Sequence, residues 1–270
     1  MTLVLKCGIQ GFKNSTEEVM MRKVLLAVLV VMLFCLMHST ADAIVHVEGR
    51  YWFSNLDSKV KVTDASVIGT DIDLVDTLGV DDKKNFWEGR IDLNLGSHHL
   101  IYGYMPLSWT GQKTITQSVT FAGQTYTAST KVDSSLDILY QRLGYRYDII
   151  DMLGNRLGII FDIKLLDIEA RLKAPAIGVD KAYSVTAPIP TVGLGAQVGL
   201  PFLFSVGADV TGIAYSGNHL IDGEAQINFN PIPFVVISGG YRLFDVKVAD
   251  GDNKVDFKLK GPFLMVRAGW

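Results

Sequence analysis

Phe263-Leu264-Met265-Val266-Arg267-Ala268-Gly269-Trp270 is the stretch on which the fold turns. In an extended chain Leu264, Val266, Ala268 and Trp270 fall on one face, with Phe263, Met265 and Arg267 on the other, because strand side chains alternate with a period of two. One face is wholly apolar, and the segment stops on an aromatic residue. An apolar face wants an apolar medium, and in hydrocarbon no sheet edge can be left open. The segment therefore reads as the last stave of a closed antiparallel barrel, all-β, that crosses a membrane.

Upstream, nine more segments alternate over lengths near the 9–11 residues that a tilted strand needs to cross a bilayer. They are 44–53, 86–96, 99–109, 135–148, 157–171, 189–200, 202–215, 219–229 and 234–247, with the tenth at 254–270. In the first, Val45, Val47, Tyr51 and Phe53 oppose His46, Glu48, Arg50 and Trp52; in the eighth, Ile221, Ala225, Ile227 and Phe229 oppose Asp222, Glu224, Gln226 and Asn228. Eight or twelve strands are the alternatives, since 114–121 and 124–130 also alternate weakly around Ala122-Gly123; an extracellular hairpin is the expectation there. Short connections (96–98, 150–155, 200–201, 230–233) alternate with longer ones (54–85, 110–134, 172–188) and with links near 216–218 and 249–253. This places the short set in the periplasm and the long set outside the cell, whereas a soluble sandwich, which also alternates, has no reason to sort its loops so. Two phase slips, at Leu165-Leu166 and Gly261-Pro262, are expected to be β-bulges or points where the strand leaves the membrane.

The other end of the chain agrees. Met21, Arg22 and Lys23 precede an apolar run at 24–37 and a small-x-small site, Ala41-Asp42-Ala43. This predicts a cleavable signal peptide at 20–43, with 1–19 an over-extended N-terminus and 44–270 the barrel domain. Both cysteines, Cys7 and Cys35, fall in the removed part, so no disulfide framework or thiolate chemistry is expected. Of 25 basic and 28 acidic residues, four basic and three acidic ones lie in 1–43, leaving 21 against 25. That balance gives no footprint for nucleic acid.

The predicted lumen is charged with mixed sign: Glu48, Arg50, Glu88, Arg90, Asp92, Asp137, Arg142, Arg146, Asp162, Lys164, Asp209, Asp222, Glu224, Arg242 and Arg267. Buried charges persist when paired, so ion-pair ladders across the interior are expected. Gly193, Gly195, Gly199, Gly207 and Gly240 face these long side chains, which predicts a largely filled lumen or a narrow polar pore.

No cofactor or catalytic constellation emerges. His98 and His99 are expected in a solvated periplasmic turn, and His219, before Asp222, near the extracellular rim. An Asp/His pair at that rim is what outer-membrane proteases use, but none of their flanking motifs is present. The acidic run Asp71-Ile72-Asp73-Leu74-Val75-Asp76-Thr77-Leu78-Gly79-Val80-Asp81-Asp82 lacks the EF-hand order. It is read as Asp73 capping a helical turn that ends at Gly79, so no metal site is predicted.

The signal peptide, the strand pattern and the terminal stretch together resemble the small outer-membrane β-barrel superfamily that includes the OmpA transmembrane domain and OmpW. Ile72-Asp73-Leu74 with Leu78-Gly79, followed by Glu88-Gly89-Arg90, is similar to a pattern in small barrels of Gram-negative bacteria. The resemblance implies residence in the bacterial outer membrane, contact with its lipids and lipopolysaccharide, and recognition by the barrel-assembly machinery through Phe263, Leu264, Val266, Ala268 and Trp270. It transfers no catalytic residue. The expected role is a structural barrel or narrow pore for small solutes, with a rim-located protease or lipid-modifying hydrolase as the alternative.

Overall fold

The computed structural model describes residues 44–63 and 67–269. The predicted signal peptide, the stretch before it and Trp270 lie outside the described residues. Ten strands form the wall: β1 (Ile44–Lys61), β2 (Lys83–Leu95), β3 (His98–Thr114), β4 (Lys131–Met152), β5 (Asn155–Ala174), β6 (Val179–Gly199), β7 (Phe204–Tyr215), β8 (Asn218–Ile232), β9 (Val235–Asp250) and β10 (Asn253–Gly269). Each pairs antiparallel with the next, and β10 pairs with β1, which closes the cylinder. That seam runs at one constant register from His46↔Gly269 to Lys61↔Lys254.

The outer surface explains where the cylinder sits. Val47, Ile91, Leu143, Phe161, Leu194, Val210, Ile227, Ile237, Leu264 and Val266 all point outward and are exposed. Aromatic residues rim this belt. Tyr51 packs edge-on against Phe53 and Trp87 at one level, with ring centroids 5.0 and 4.7 Å apart. Phe204 stacks on Phe229 at 4.9 Å near the opposite end. On β1 the belt spans 45–53, and nine residues at about 3.4 Å each, tilted by about 40°, rise roughly 20–25 Å, the height of a barrel's apolar band.

Several strands continue well past the belt, and there the two faces exchange character. Outward positions become charged or polar: Asp57 and Lys59 on β1, Asp167, Glu169 and Arg171 on β5, Lys258 and Lys260 on β10. Inward positions become apolar: Leu56, Leu166, Leu172, Phe257 and Leu259 are all buried. Neither expected bulge exists. The register is unbroken through Leu165-Leu166 and through Gly261-Pro262; what changes at those points is the surroundings, as lipid gives way to water outside. The irregularities fall instead between Asp148 and Ile150 and between Phe229 and Ile232. Asp137 belongs to the same upper zone and is exposed on the outside, so it leaves the set of predicted lumen residues.

Residues 172–188, expected as a loop, are the top of a tall β5–β6 hairpin closed by a short 3₁₀ turn, Pro175–Ile177. Val119–Phe121 and Gln124–Tyr126 form the expected separate hairpin. Its turn residues Ala122 and Gly123 have φ of 46° and 76°, the left-handed pair of a two-residue hairpin turn. The hairpin folds over the barrel mouth, where Tyr126 donates its hydroxyl to the Leu172 carbonyl at 2.8 Å and Ala122 N–H bonds the Val62 carbonyl. Burial, with a contribution from Asp180, raises the Tyr126 hydroxyl to about 12. Beside it, Asp73 caps a turn by accepting from the Val75 and Asp76 N–H groups at 3.0 and 2.8 Å, and the turn ends at left-handed Gly79. Leu74, Leu78 and Val80 face down into the barrel and are buried.

Candidate functional site

The lumen is built in tiers from the alternate residues of all ten strands. Its middle tier is an ion-pair layer. Glu224 of β8 reaches across to β1 and β2, accepting from Arg50 at 2.7 and 3.0 Å and from Arg90 at 3.2 and 3.0 Å. Glu88 of β2 ties Arg90 at 2.7 Å to Arg242 of β9 at 2.8 Å. Arg242 is held in turn by both carboxylate oxygens of Asp222 at 3.0 Å, and Tyr140 donates to Asp222 at 3.0 Å. Glu48 pairs with Arg50 and with Arg267.

Lys164 is fully buried and donates to Asp162, Thr191 and Thr211 at 2.8, 3.1 and 2.8 Å, while Arg142 lies 3.1 Å from Asp162. Two-pronged guanidinium–carboxylate pairs are the strongest hydrogen-bonded ion pairs available to side chains. Here, at Glu224, they link residues 134 and 174 positions apart in sequence.

Every predicted lumen residue except Asp137 joins this layer or the tier beneath it. The glycines explain the fit: Gly144 lies against the Asp162 carboxylate, Gly158 against Arg146 and Asp148, and Gly195 against Arg146 and Asp209. A β-carbon at any of them would occupy space the charged heads use. Gly207 is looser, and a β-carbon there would meet only ordinary contacts.

Below the layer lies a polar pocket of about 70 Å³ bordered by Asp92, His99, Arg146, Arg156, Asp209 and Gln226 among others. His99 belongs to it and is not in a solvated turn. It is 3 % exposed, 3.1 Å from Asp148 and 3.5 Å from Asp92. Strand β3 starts at His98, and because Tyr102 and Tyr104 face outward, strict alternation puts His99 on the inward face. His98 points out, 2.6 Å from the Tyr145 hydroxyl.

Above the layer the lumen is apolar, and the boundary is made of rings. Arg242 lies over Trp52 at 5.0 Å and over Tyr140 at 5.4 Å, and Arg50 over Phe263 at 4.9 Å, the cation–π arrangement. Higher still, Phe86, Trp109 and Phe257 pack edge-on. A cavity of about 110 Å³ remains among Leu74, Leu136, Leu166, Phe244, Phe257 and their neighbours. Left empty, such a space forfeits about 2–3 kcal/mol at roughly 24 cal/mol per Å³. Sequence reading missed this apolar cup. Its signal was the charges on the outside of β5 and β10, which mark the heights at which the inward positions turn apolar.

His219 does not join Asp222, which faces the lumen. It points outward beside Asp245, 3.4 Å away, and Lys258 holds the same carboxylate at 3.0 Å. Among the described residues no group of three or more His, Cys, Asp or Glu has the arrangement of a metal site.

No known protein-family profile and no curated protein matches the sequence. Solved structures do match the fold. The outer membrane protease OmpT from Escherichia coli superposes with a TM-score of 0.57 at 9 % identity, over 86 % of this chain and 98 % of that one. The translocator domain of autotransporter NalP from Neisseria meningitidis gives 0.42 at 10 % identity over 95 % and 97 %. Ail of Yersinia pestis gives 0.36 at 12 % identity over 83 % and 99 %. With an apolar belt between aromatic rims, a closed hydrogen-bonded wall and the likeness in fold to OmpT, the chain is an integral ten-stranded β-barrel of the bacterial outer membrane.

Proposed function

We propose that this protein is a non-enzymatic barrel with a structural role in the outer membrane, its lumen closed to solutes. The observation that carries the reading is the Glu224 node, where one carboxylate reaches across the lumen and holds both Arg50 and Arg90 by two hydrogen bonds each. In this reading the belt contacts lipid and lipopolysaccharide, and 263–270 serves the assembly machinery. The test is single-channel recording on refolded protein in planar bilayers. The expected trace is flat; steady unitary steps would overturn the sealed lumen in favour of a narrow pore.

The rim-enzyme reading has less support. His219 and Asp245 form a pair, but it lies on the outer wall with Lys258 competing for the carboxylate, and no nucleophile adjoins it among the described contacts. Protease, esterase and deacylase assays on the wild type and on His219→Ala would test it. An activity present in the first and absent from the second would refute the non-enzymatic reading.

A further inference from the structure

The wall of the barrel is not equally tall all round. Strand β6 pairs with β5 without interruption from Arg156↔Gln197 up to Ala174↔Val179. On its other side it pairs with β7 only from Val192 to Gly199. Strand β7 turns back at Ser216-Gly217, while β9 and β10 climb on to Asp250 and Asn253. The rim therefore has a notch above β7 and β8, bordered on one side by the unpaired stretch 179–191. Inward-facing Val185 on that border is 37 % exposed.

The apolar cavity lies behind this notch. Its lining comes from β1, β4, β5, β6, β9, β10 and the capping loops, and none of it from β7 or β8. At its lower end Phe244 packs edge-on against Tyr140, which donates to Asp222 of the ion-pair layer, and Leu74, Leu78 and Phe121 line the side of the capping loops. Ile213 and Tyr215, on the inward face at the end of β7 and exposed through the notch, form the lower lip; Val210, on the outer face of the same strand, belongs to the apolar belt directly beneath them, so the lip lies close to the membrane surface. The open edge is also protected against strand pairing. Pro188 and Pro190 sit on it, and proline offers no N–H to a passing strand.

We propose that the upper lumen is a dead-end binding pocket for hydrocarbon, entered sideways through the notch: a single unbranched alkyl chain or a small uncharged apolar molecule. The lining excludes other chemistries. Leucine, isoleucine, valine and phenylalanine dominate it, and its one charged residue, Arg171, is bound to Asp180 through two hydrogen bonds on the outer face. Apolar cavities of this scale stay free of water and accept molecules the size of benzene. The alkyl chain has two sources, a membrane lipid at the lip or a free hydrophobic molecule, and both offer the same methylene surface.

Thiol labelling tests this in refolded full-length protein with Cys7→Ser and Cys35→Ser. Ala170→Cys places a thiol on the cavity lining and Asp167→Cys places one on the outer wall. Ser134→Cys is a second lining position should the first variant fold poorly. N-phenylmaleimide should label both positions, whereas a charged trimethylammonium methanethiosulfonate should label only Asp167→Cys. Added n-decane at ten times its dissociation constant should slow the lining reaction about tenfold and leave the outer one unchanged.

Comparing micelles of a steroid detergent, which carries no alkyl chain, with a phosphatidylcholine bilayer separates the sources. Protection by the bilayer alone identifies a lipid chain, and protection only by added decane identifies a free ligand. Val185→Trp, which narrows the notch, should slow N-phenylmaleimide at the lining position. Equal labelling by the charged reagent, no labelling by either, or a rate insensitive to both decane and lipid would overturn the proposal.

Discussion

The lower and upper halves of this lumen solve one packing problem in opposite ways. In the lower half lipid surrounds the wall, so polar residues can only turn inward, where each charge must find a countercharge. In the upper half water surrounds the wall, charges move outside, and the interior fills with Leu56, Trp109, Phe244, Phe257 and Leu259 as in a soluble barrel. The same ten strands run through both halves without a break in register at the crossing. The medium outside a wall, and not the strand itself, decides what goes inside.

If that is right, the lower half should be the more sensitive to losing one partner. Glu224→Gln leaves Arg50 and Arg90 short of a countercharge, and breaking a buried ion pair on one side costs about 3–5 kcal/mol. Urea unfolding of protein refolded into lipid vesicles should show the loss as a lower midpoint. A change within the scatter of wild type would mean that water already shares the layer. In the upper half, Leu166→Ala should cost about 2 kcal/mol, the low end for a buried leucine, because this side chain borders a cavity and has fewer contacts to lose. A loss larger than that of Glu224→Gln would reverse the contrast.

The smallest effect belongs to the outer surface. Arg171 holds the Asp180 carboxyl below its usual range through two hydrogen bonds and its charge. A carboxyl lowered in the folded state stabilises above its unfolded pKa and loses that contribution as pH falls through the folded value, here below about pH 4. Both partners are largely exposed, so solvent screens the pair. Asp180→Asn should leave the neutral-pH midpoint unmoved; a measurable shift would mean that the tall β5–β6 hairpin depends on its surface charges.

The lower half was legible in the sequence because lipid outside and charge inside give each alternate residue an unambiguous direction. Glu48, Arg50, Glu88, Arg90, Asp222, Glu224 and Arg242 could all be assigned inward on that basis. The upper half was not, since Asp167, Glu169 and Arg171 alternate just as well whichever way they point. A reader who keeps charges inside must then invent a bulge at Leu165-Leu166. His99 was lost because the pair His98-His99 was read as one solvated turn, although the alternation that sets Tyr102 and Tyr104 outward turns His99 inward. The notch left a trace in Pro188 and Pro190, which mark an edge strand, but only the pairing around the whole cylinder shows which edge is open and how far.

The closing seam acts as a lock that accepts one key. It joins β10 to β1, almost two hundred residues away, and nothing in the backbone prefers one alignment. At the observed alignment Asp57 faces Lys258, Lys59 faces Asp256, and Glu48 faces Arg267. Sliding by two residues in one direction sets Asp57 against Asp256 and Lys59 against Lys254. In the other direction it sets Lys59 against Lys258 and Arg50 against Arg267. Like charges directly opposite are unfavourable, and a slip of one residue would turn Arg267 toward lipid. The alternating signs spell a code that is read only when the cylinder shuts correctly.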